Sequence, residues 1–262
     1  MATVVSVAIQ KGGSGKTTTA LNLAAALHRE GKKVLLVDLD PQANLTQSLG
    51  YGEPQGITMY QLLRDEGAGQ DTDYTQALIC IREGFDLLPA ALELAMSEVE
   101  LVSIFGRERL LGRILAPALA KYDLIFIDCP PAVGMLTVNA LAMSRYVLMP
   151  LQAEFLPLKG VKSFHDFTLA RVKKQLNADI ELLGIVLTRY DERKTMNREV
   201  LQQLEGAYPG KVFHTRIRSN IALAKAQELG TDIFTHDERS NGARDYQLLA
   251  AELIDRMKKA PK

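Results

Sequence analysis

Lys11-Gly12-Gly13-Ser14-Gly15-Lys16-Thr17-Thr18 decides how this chain is read. The stretch follows the apolar run Val4-Val5-Ser6-Val7-Ala8-Ile9 and precedes a helix-period pattern of Leu21, Leu23, Ala24 and Leu27. A glycine-rich turn between a buried strand and a helix start gathers backbone N–H groups around one point and so favours an anion. Glycines permit positive φ and let the backbone approach phosphates without a Cβ in the way. In such a loop Lys16 reaches the β/γ-phosphates and the Thr17 hydroxyl sits on Mg²⁺. The strict GxxxxGK[ST] pattern needs glycine where Gln10 stands; the chain instead carries an additional lysine, Lys11, at the head of KGGxGKT.

Outward from this loop, short apolar runs recur at 34–37, 85–88, 124–127, 146–149 and 182–187. Runs of this length without polar alternation fit strands buried on both faces, as in a mainly parallel sheet. Helix-period segments separate them at 17–30, 106–121, 136–144, 160–176, 194–206, 219–229 and 242–258. The alternation predicts a doubly wound α/β fold, a mostly parallel sheet flanked by helices, in one domain spanning 1–262. Region 51–80 is punctuated by glycine and reads as a surface excursion with a short helix near 57–64.

Composition narrows the function classes. Hydrophobic content of 47% suffices for a core, and the 31 Lys+Arg balance the 31 Asp+Glu over 262 residues. No global field draws the chain to polyanions, so any such binding needs a local patch. Cys80 and Cys129 are too few for a disulfide framework and lack metal-site spacing. A reducing, cytoplasmic setting is expected. No apolar run of about 18 residues is present, and the N-terminal run reads as a strand, not a cleavable leader.

Two further motifs end strands in carboxylates: Val34-Leu35-Leu36-Val37-Asp38-Leu39-Asp40-Pro41 and Leu124-Ile125-Phe126-Ile127-Asp128-Cys129-Pro130-Pro131. Ligands of open α/β sheets sit at the carboxyl ends of strands. Asp38 and Asp40 there either position a water and hold Mg²⁺ through its hydration shell, or cap the following turn. Asp128 occupies the place of the strand-end aspartate that holds Mg²⁺ in phosphate-loop NTPases. Cys129 reads as a small buried residue or a redox handle.

Taken together, KGGSGKT at 11–17, DLDPQAN at 38–44 and DCPP at 128–131 resemble the ParA/Soj family of deviant Walker ATPases, relatives of MinD. The resemblance runs to about residue 250. It implies ATP and Mg²⁺ as cofactors, with Lys11, Gly12, Gly13, Ser14, Gly15, Lys16, Thr17 and Thr18 around the phosphates and Thr17, Asp38 and Asp128 at the metal. It implies that Asp40 orients the attacking water and that Lys11 reaches the partner's phosphates in an ATP-sandwiched homodimer. It further implies slow, partner-stimulated hydrolysis by a ParB-like protein or cargo adaptor, and nucleoid association through sequence-independent DNA contacts at Arg189 and Arg218.

Basic residues also gather at Arg193, Lys194 and Arg198, but Glu192, Glu199 and Glu205 are interspersed, as on a solvated face laced with ion pairs. Nine residues precede Gln10, leaving no room there for the helix-turn-helix domain of larger partition ATPases. Lys159-Gly160 departs from the acidic residue that relatives often carry before this glycine. Thr188 to Tyr190 and Thr215 to Ile217 are candidates for an adenine pocket. A MinD-like membrane ATPase is the alternative, and it requires a basic amphipathic C-terminal helix, whereas segment 242–258 carries Asp245, Glu252 and Asp255. A redox relative with a shared iron–sulfur cluster and a metabolic ligase are the remaining classes. No membrane attachment is expected.

Overall fold

Each apolar run forms a strand in the computed structural model, which describes residues 1–153 and 157–259. The strands are β1 (Thr3–Val7), β2 (Val34–Asp38), β3 (Ile79–Arg82), β4 (Phe85–Leu88), β5 (Leu124–Asp128), β6 (Tyr146–Gln152) and β7 (Glu181–Thr188). They make a seven-stranded sheet in the order β3-β4-β2-β5-β1-β6-β7. All neighbouring pairs are parallel except β3–β4. The chain moves one way from β1 to β2 and β4, then returns through β5 to β6 and β7. The order therefore reverses around β1, and the crevice for a ligand opens at the carboxyl ends there.

Side chains alternate between two cores. Val5, Val7, Leu36, Phe126 and Leu148 pack under helix α1 (Lys16–Arg29) and the helices Ile221–Glu228 and Asn241–Lys259. Val4, Val37, Ile125, Ile127 and Met149 pack under Met59–Gly67, Leu110–Leu115, Met135–Met143 and Thr195–Ala207. Burial on both faces explains why these strands read as unbroken apolar runs. Truncating one of these leucines to alanine costs about 2–5 kcal/mol.

Three expectations need correction. Region 51–80 is no excursion: Met59, Leu62, Leu63 and Tyr74 are buried in the second core, and the region ends in β3. That strand escapes the sequence because it is four residues long and joins β4 antiparallel through a tight turn with Gly84 at φ 77°. The helix expected over 106–121 is broken; only Leu110–Leu115 is α-helical, and Pro117 starts a separate 3₁₀ turn. Helix 160–176 contains a π stretch at Phe164–Leu169.

At the β7 edge the register with β6 slips between Val147 and Leu148, which inserts a bulge. Gly184 follows it because a Cβ there would stand 2.5 Å from the Lys211 carbonyl oxygen. That close approach admits the segment around Val212 beside Ile185.

Candidate nucleotide site

Three strand ends meet in register. Val7 of β1 lies opposite Asp128 of β5, and Asp128 lies opposite Asp38 of β2. The Lys11–Gly15 turn leaves β1 directly above them and feeds α1. Gly13 (φ 68°) and Gly15 (φ 91°) take left-handed backbone, so the turn needs glycine at both positions. A Cβ on Gly15 would also press on Thr188 at 3.3 Å. Helix α1 has no side-chain cap and no acidic residue in its first turn. Its leading N–H groups and positive dipole end are left for a ligand anion.

The loop is braced from behind. Thr188 Oγ1 donates to the Ser14 carbonyl at 2.9 Å, and Gln152 Nε2 donates to the Gly13 carbonyl. Lys16 is 7% exposed and points its ammonium back at the Lys11 carbonyl, 3.1 Å away. Thr17 Oγ1 donates to Asp128 Oδ2 at 2.6 Å. Thr18 Oγ1 instead donates to Gln227 Oε1 at 3.2 Å.

Asp38 is fully buried and accepts from the Thr46 N–H (2.9 Å), Thr46 Oγ1 (2.7 Å) and the Asp40 N–H (3.2 Å). Burial raises its carboxyl pKa to about 7, against these hydrogen bonds, which lower it. Asp128 is also fully buried, and burial followed by the charge of Asp38 raises its pKa well above the usual carboxylate range. Asp128 Oδ1 has no hydrogen-bond partner among the described residues, and neither has Ser14 Oγ. A buried pair of carboxylates with an orphaned oxygen beside a threonine hydroxyl is a hard-oxygen donor set. It suits Mg²⁺, which takes one or two carboxylates and completes its shell with water and phosphate. Among the described residues no group of three or more His, Cys, Asp or Glu could form an all-protein cage. Asp40 is nearly buried on the turn after β2, where its Oδ1 accepts from the Gln42 N–H at 3.0 Å.

Lys11 is half-buried on the outer rim of the loop and lines a depression of about 310 Å³ with Gln10, Lys159, Gly160 and Ser163. Lys159, singled out in the sequence as a departure, thus stands on the same rim as Lys11. Beyond β7, a bridge pairs Tyr190 with Arg218, which makes Arg189 and Arg218 neighbours. Arg189 is exposed with φ 49°. Arg218 is held by Asp245 through bonds of 2.6 to 3.2 Å. Of the adenine-pocket candidates, Thr188 braces the loop, while Tyr190, Thr215 and Arg216 line a separate cavity of about 650 Å³.

One contributor escapes sequence reading. Thr46 lies in an ordinary Asn44-Leu45-Thr46 run, yet it joins Asp38 to the Ala90 N–H (3.1 Å) at the end of β4. Asn139 is a packing residue: its carboxamide accepts from the Leu111 N–H and donates to the Arg107 and Met135 carbonyls. Cys129 is buried, and burial pushes its thiol pKa up, so it is no reactive thiolate. Cys80 is exposed on β3, three strands from β5, roughly 14 Å at the usual strand spacing.

This sheet order and loop define a phosphate-loop nucleotide-binding α/β protein. A family model described as "AAA domain" matches residues 2–182. The chain is 42% identical over 256 residues to the chromosome-partitioning ATPase Soj of Thermus thermophilus, covering 98% of this chain and 97% of that one. It is 39% identical over 254 residues to the sporulation initiation inhibitor protein Soj of Bacillus subtilis, covering 97% and 98%. Among solved structures, a cobyrinic acid a,c-diamide synthase from Mycobacterium smegmatis with bound ADP and magnesium matches with a TM-score of 0.85 at 37% identity, covering 100% of this chain and 98% of that one. The chain belongs to the Soj/ParA family of partition ATPases.

Proposed function

We propose that this chain is an ATP-driven positioning switch for a chromosome, plasmid or protein assembly. ATP with Mg²⁺ closes a homodimer, the dimer binds DNA without sequence preference, and a cargo-bound partner stimulates hydrolysis and release. The observation that carries the catalytic part is the register of Asp38 with Asp128 beneath an uncapped helix start, with Thr17 bonded to Asp128. Bound Mg²⁺ supplies charge neutralisation between the phosphates and these carboxylates. Lys16 would neutralise the phosphates, Thr17, Asp38 and Asp128 would hold the metal, and Asp40 would orient water. Lys11, on the rim, faces the charge that develops on the partner's transferring phosphoryl group. The switch arises because the two nucleotide states differ in affinity for DNA. Its site of action is the cytoplasm, on the nucleoid.

The membrane alternative is disfavoured by packing. Helix Asn241–Lys259 buries Tyr246, Leu249, Ala250 and Leu253 in the core, so its apolar stripe is already used. No helix among the described residues is long and apolar enough to cross a membrane.

An electrophoretic shift on random-sequence DNA, with ATP, ADP or no nucleotide, tests the reading. Binding is expected with ATP alone, weakening steeply with salt and lasting longer in Asp40→Ala. Equal retention in all three nucleotide states sinks the switch, and a metabolic ligase would show no shift at all.

A further inference from the structure

Between β4 and the helix Leu110–Leu115, the chain forms consecutive helical turns at Leu92–Met96, Ser97–Glu100 and Leu101–Ser103. One face is core: Leu94, Ser97 and Leu101 are buried. The opposite face of such a surface segment is ordinarily polar. Here it carries Leu92 (70% exposed), Met96 (50%), Val99 (77%) and Val102 (57%), followed by Phe105, which is fully exposed. Residues three and four apart share one side of a helix, so Leu92, Met96 and Val99 form a single stripe. Isolated exposed apolar residues need no explanation, but a stripe of large ones marks an interaction surface.

Charge says what covers it. Glu93 and Glu100 are exposed on one flank of the stripe; Glu98, on the other, is half-buried and turned to the protein. From Glu83 to Gly106 the chain contains no lysine or arginine. In a chain whose 31 basic and 31 acidic residues balance overall, this segment is locally acidic as far as Arg107, which donates to the Val102 carbonyl at 2.6 Å at the Phe105 end of the stripe. An apolar stripe flanked by carboxylates complements an amphipathic helix with lysine or arginine beside its apolar face.

The segment is also tied to the nucleotide site at two points. Glu98 accepts from the Met135 N–H at 2.6 Å and the Leu136 N–H at 3.1 Å, at the start of the helix that follows Asp128-Cys129-Pro130-Pro131. Gly134 permits this approach, since a Cβ there would stand 2.4 Å from the carboxylate. At the other end, Ala90 N–H reaches Asp38 through Thr46 Oγ1. A body docked on the stripe therefore pushes on elements that carry both buried aspartates.

We propose that Leu92, Met96, Val99, Val102 and Phe105 are the docking surface for a basic amphipathic helix of a partner protein, whose seating is transmitted to Asp38 and Asp128. The identification of that partner as the hydrolysis activator rests on the function proposed above; the docking surface itself does not.

The probe is a fluorescent 18-residue Leu/Lys peptide with leucines at helical spacing, titrated into the full-length chain by anisotropy. A scrambled peptide of the same composition and a Leu/Glu counterpart serve as comparisons. Wild type is expected to bind the ordered basic peptide best. Val99→Ser with Phe105→Ser should weaken it about tenfold or more, and Glu93→Gln with Glu100→Gln several-fold. Peptide binding should change hydrogen exchange at the Met135 and Leu136 amides. Both double variants change exposed side chains, and Leu92→Ser with Val102→Ser replaces the first pair if it folds poorly. Equal affinity in wild type and apolar variants, or equal affinity for the scrambled or acidic peptide, overturns the proposal. So does a wild-type dimer, or binding to anionic vesicles, that the apolar variants abolish, because a second copy or a lipid surface then covers the stripe. ATP hydrolysis and DNA shifts of the apolar variants are expected at wild-type levels, so a failed peptide test leaves the switch standing and a failed DNA shift leaves the docking result intact.

Discussion

At the ends of β2 and β5, Asp38 and Asp128 lie side by side in the interior, with Lys16 a cation that opposes the charge of Asp128. Beyond β7 two of the arginines are paired with carboxylates: Arg218 with Asp245, and Arg193 with Asp191. The first region is costly as it stands, because like charges share a dry site and one oxygen has no partner. In the second the named charges have partners on the chain itself, and the exception is Arg216 Nε, a single buried donor without a partner among the described residues. Buried groups left unsatisfied are what a ligand site keeps in reserve, whereas a neutralised surface must break its own pairs before it holds phosphate. That contrast ranks the expectations for the two regions.

The sharpest test removes one carboxylate charge. Asp128→Asn keeps the shape and leaves an acceptor for Thr17, but it loses the anion proposed to hold Mg²⁺. ATP hydrolysis should fall by about 10² or more, while the nucleotide-free protein at pH 8 should melt higher than wild type. A variant that loses both activity and stability would mean that Asp128 is structural. Lys11→Ala comes next. The fold should persist, and light scattering with a non-hydrolysable ATP analogue should show a dimer weakened by at least about tenfold; an unchanged dimer removes Lys11 from the interface.

A pH series separates the regions without mutation. Burial raises the carboxyl of Asp38 to about 7 in the fold against 3.8 for an ordinary aspartate. The folded state therefore prefers the protonated form. Its stabilising contribution is complete below pH 3.8 and is lost as pH rises through 7. Without nucleotide, the melting temperature should be higher at pH 6 than at pH 8 by about 2–4 °C, and Asp38→Asn should flatten that slope. Mg²⁺ with an ATP analogue should flatten it as well. The paired carboxylates work at lower pH. Asp191 is held down to about 2 by its bonds to Arg193, so whatever stability it contributes is present above pH 3.8 and fades only as pH falls through 2.

The same contrast explains what sequence could deliver. Strands buried on both faces announce themselves by unbroken apolar runs, and the phosphate loop by glycines that only a positive-φ turn requires. Asp38 and Asp128 were legible because each ends such a run. Thr46 was not, since its importance depends on β2 and β4 being neighbours, a fact of topology that no local pattern encodes. Glu98 escaped for the same reason: it caps a helix that begins 37 residues later. The β3 strand was hidden by its length, and the broken helix at Leu110–Leu115 by an apolar periodicity that continues through Pro117. Conversely, the pairing of Arg218, expected to contact DNA, with Asp245 was hidden because Asp245 lies 27 residues away in sequence.

The smallest effects concern those arginines, and they decide how the second region takes part. Asp245 is almost fully buried and accepts from the Arg218 backbone N–H at 3.0 Å as well as from its guanidinium. Arg218→Ala leaves that carboxylate with the backbone bond but without its counter-charge. Because the guanidinium is about half exposed, the loss should be moderate, about 1–2 kcal/mol in urea unfolding. Adding Asp245→Asn should restore part of it. Arg189→Ala removes an exposed side chain and should change stability by less than about 0.5 kcal/mol, while DNA affinity drops and its salt slope falls by about one. If Arg218→Ala instead reduces DNA binding at full stability, the ion pair opens on the nucleic acid, and the region beyond β7 holds its charges in reserve as the nucleotide site does.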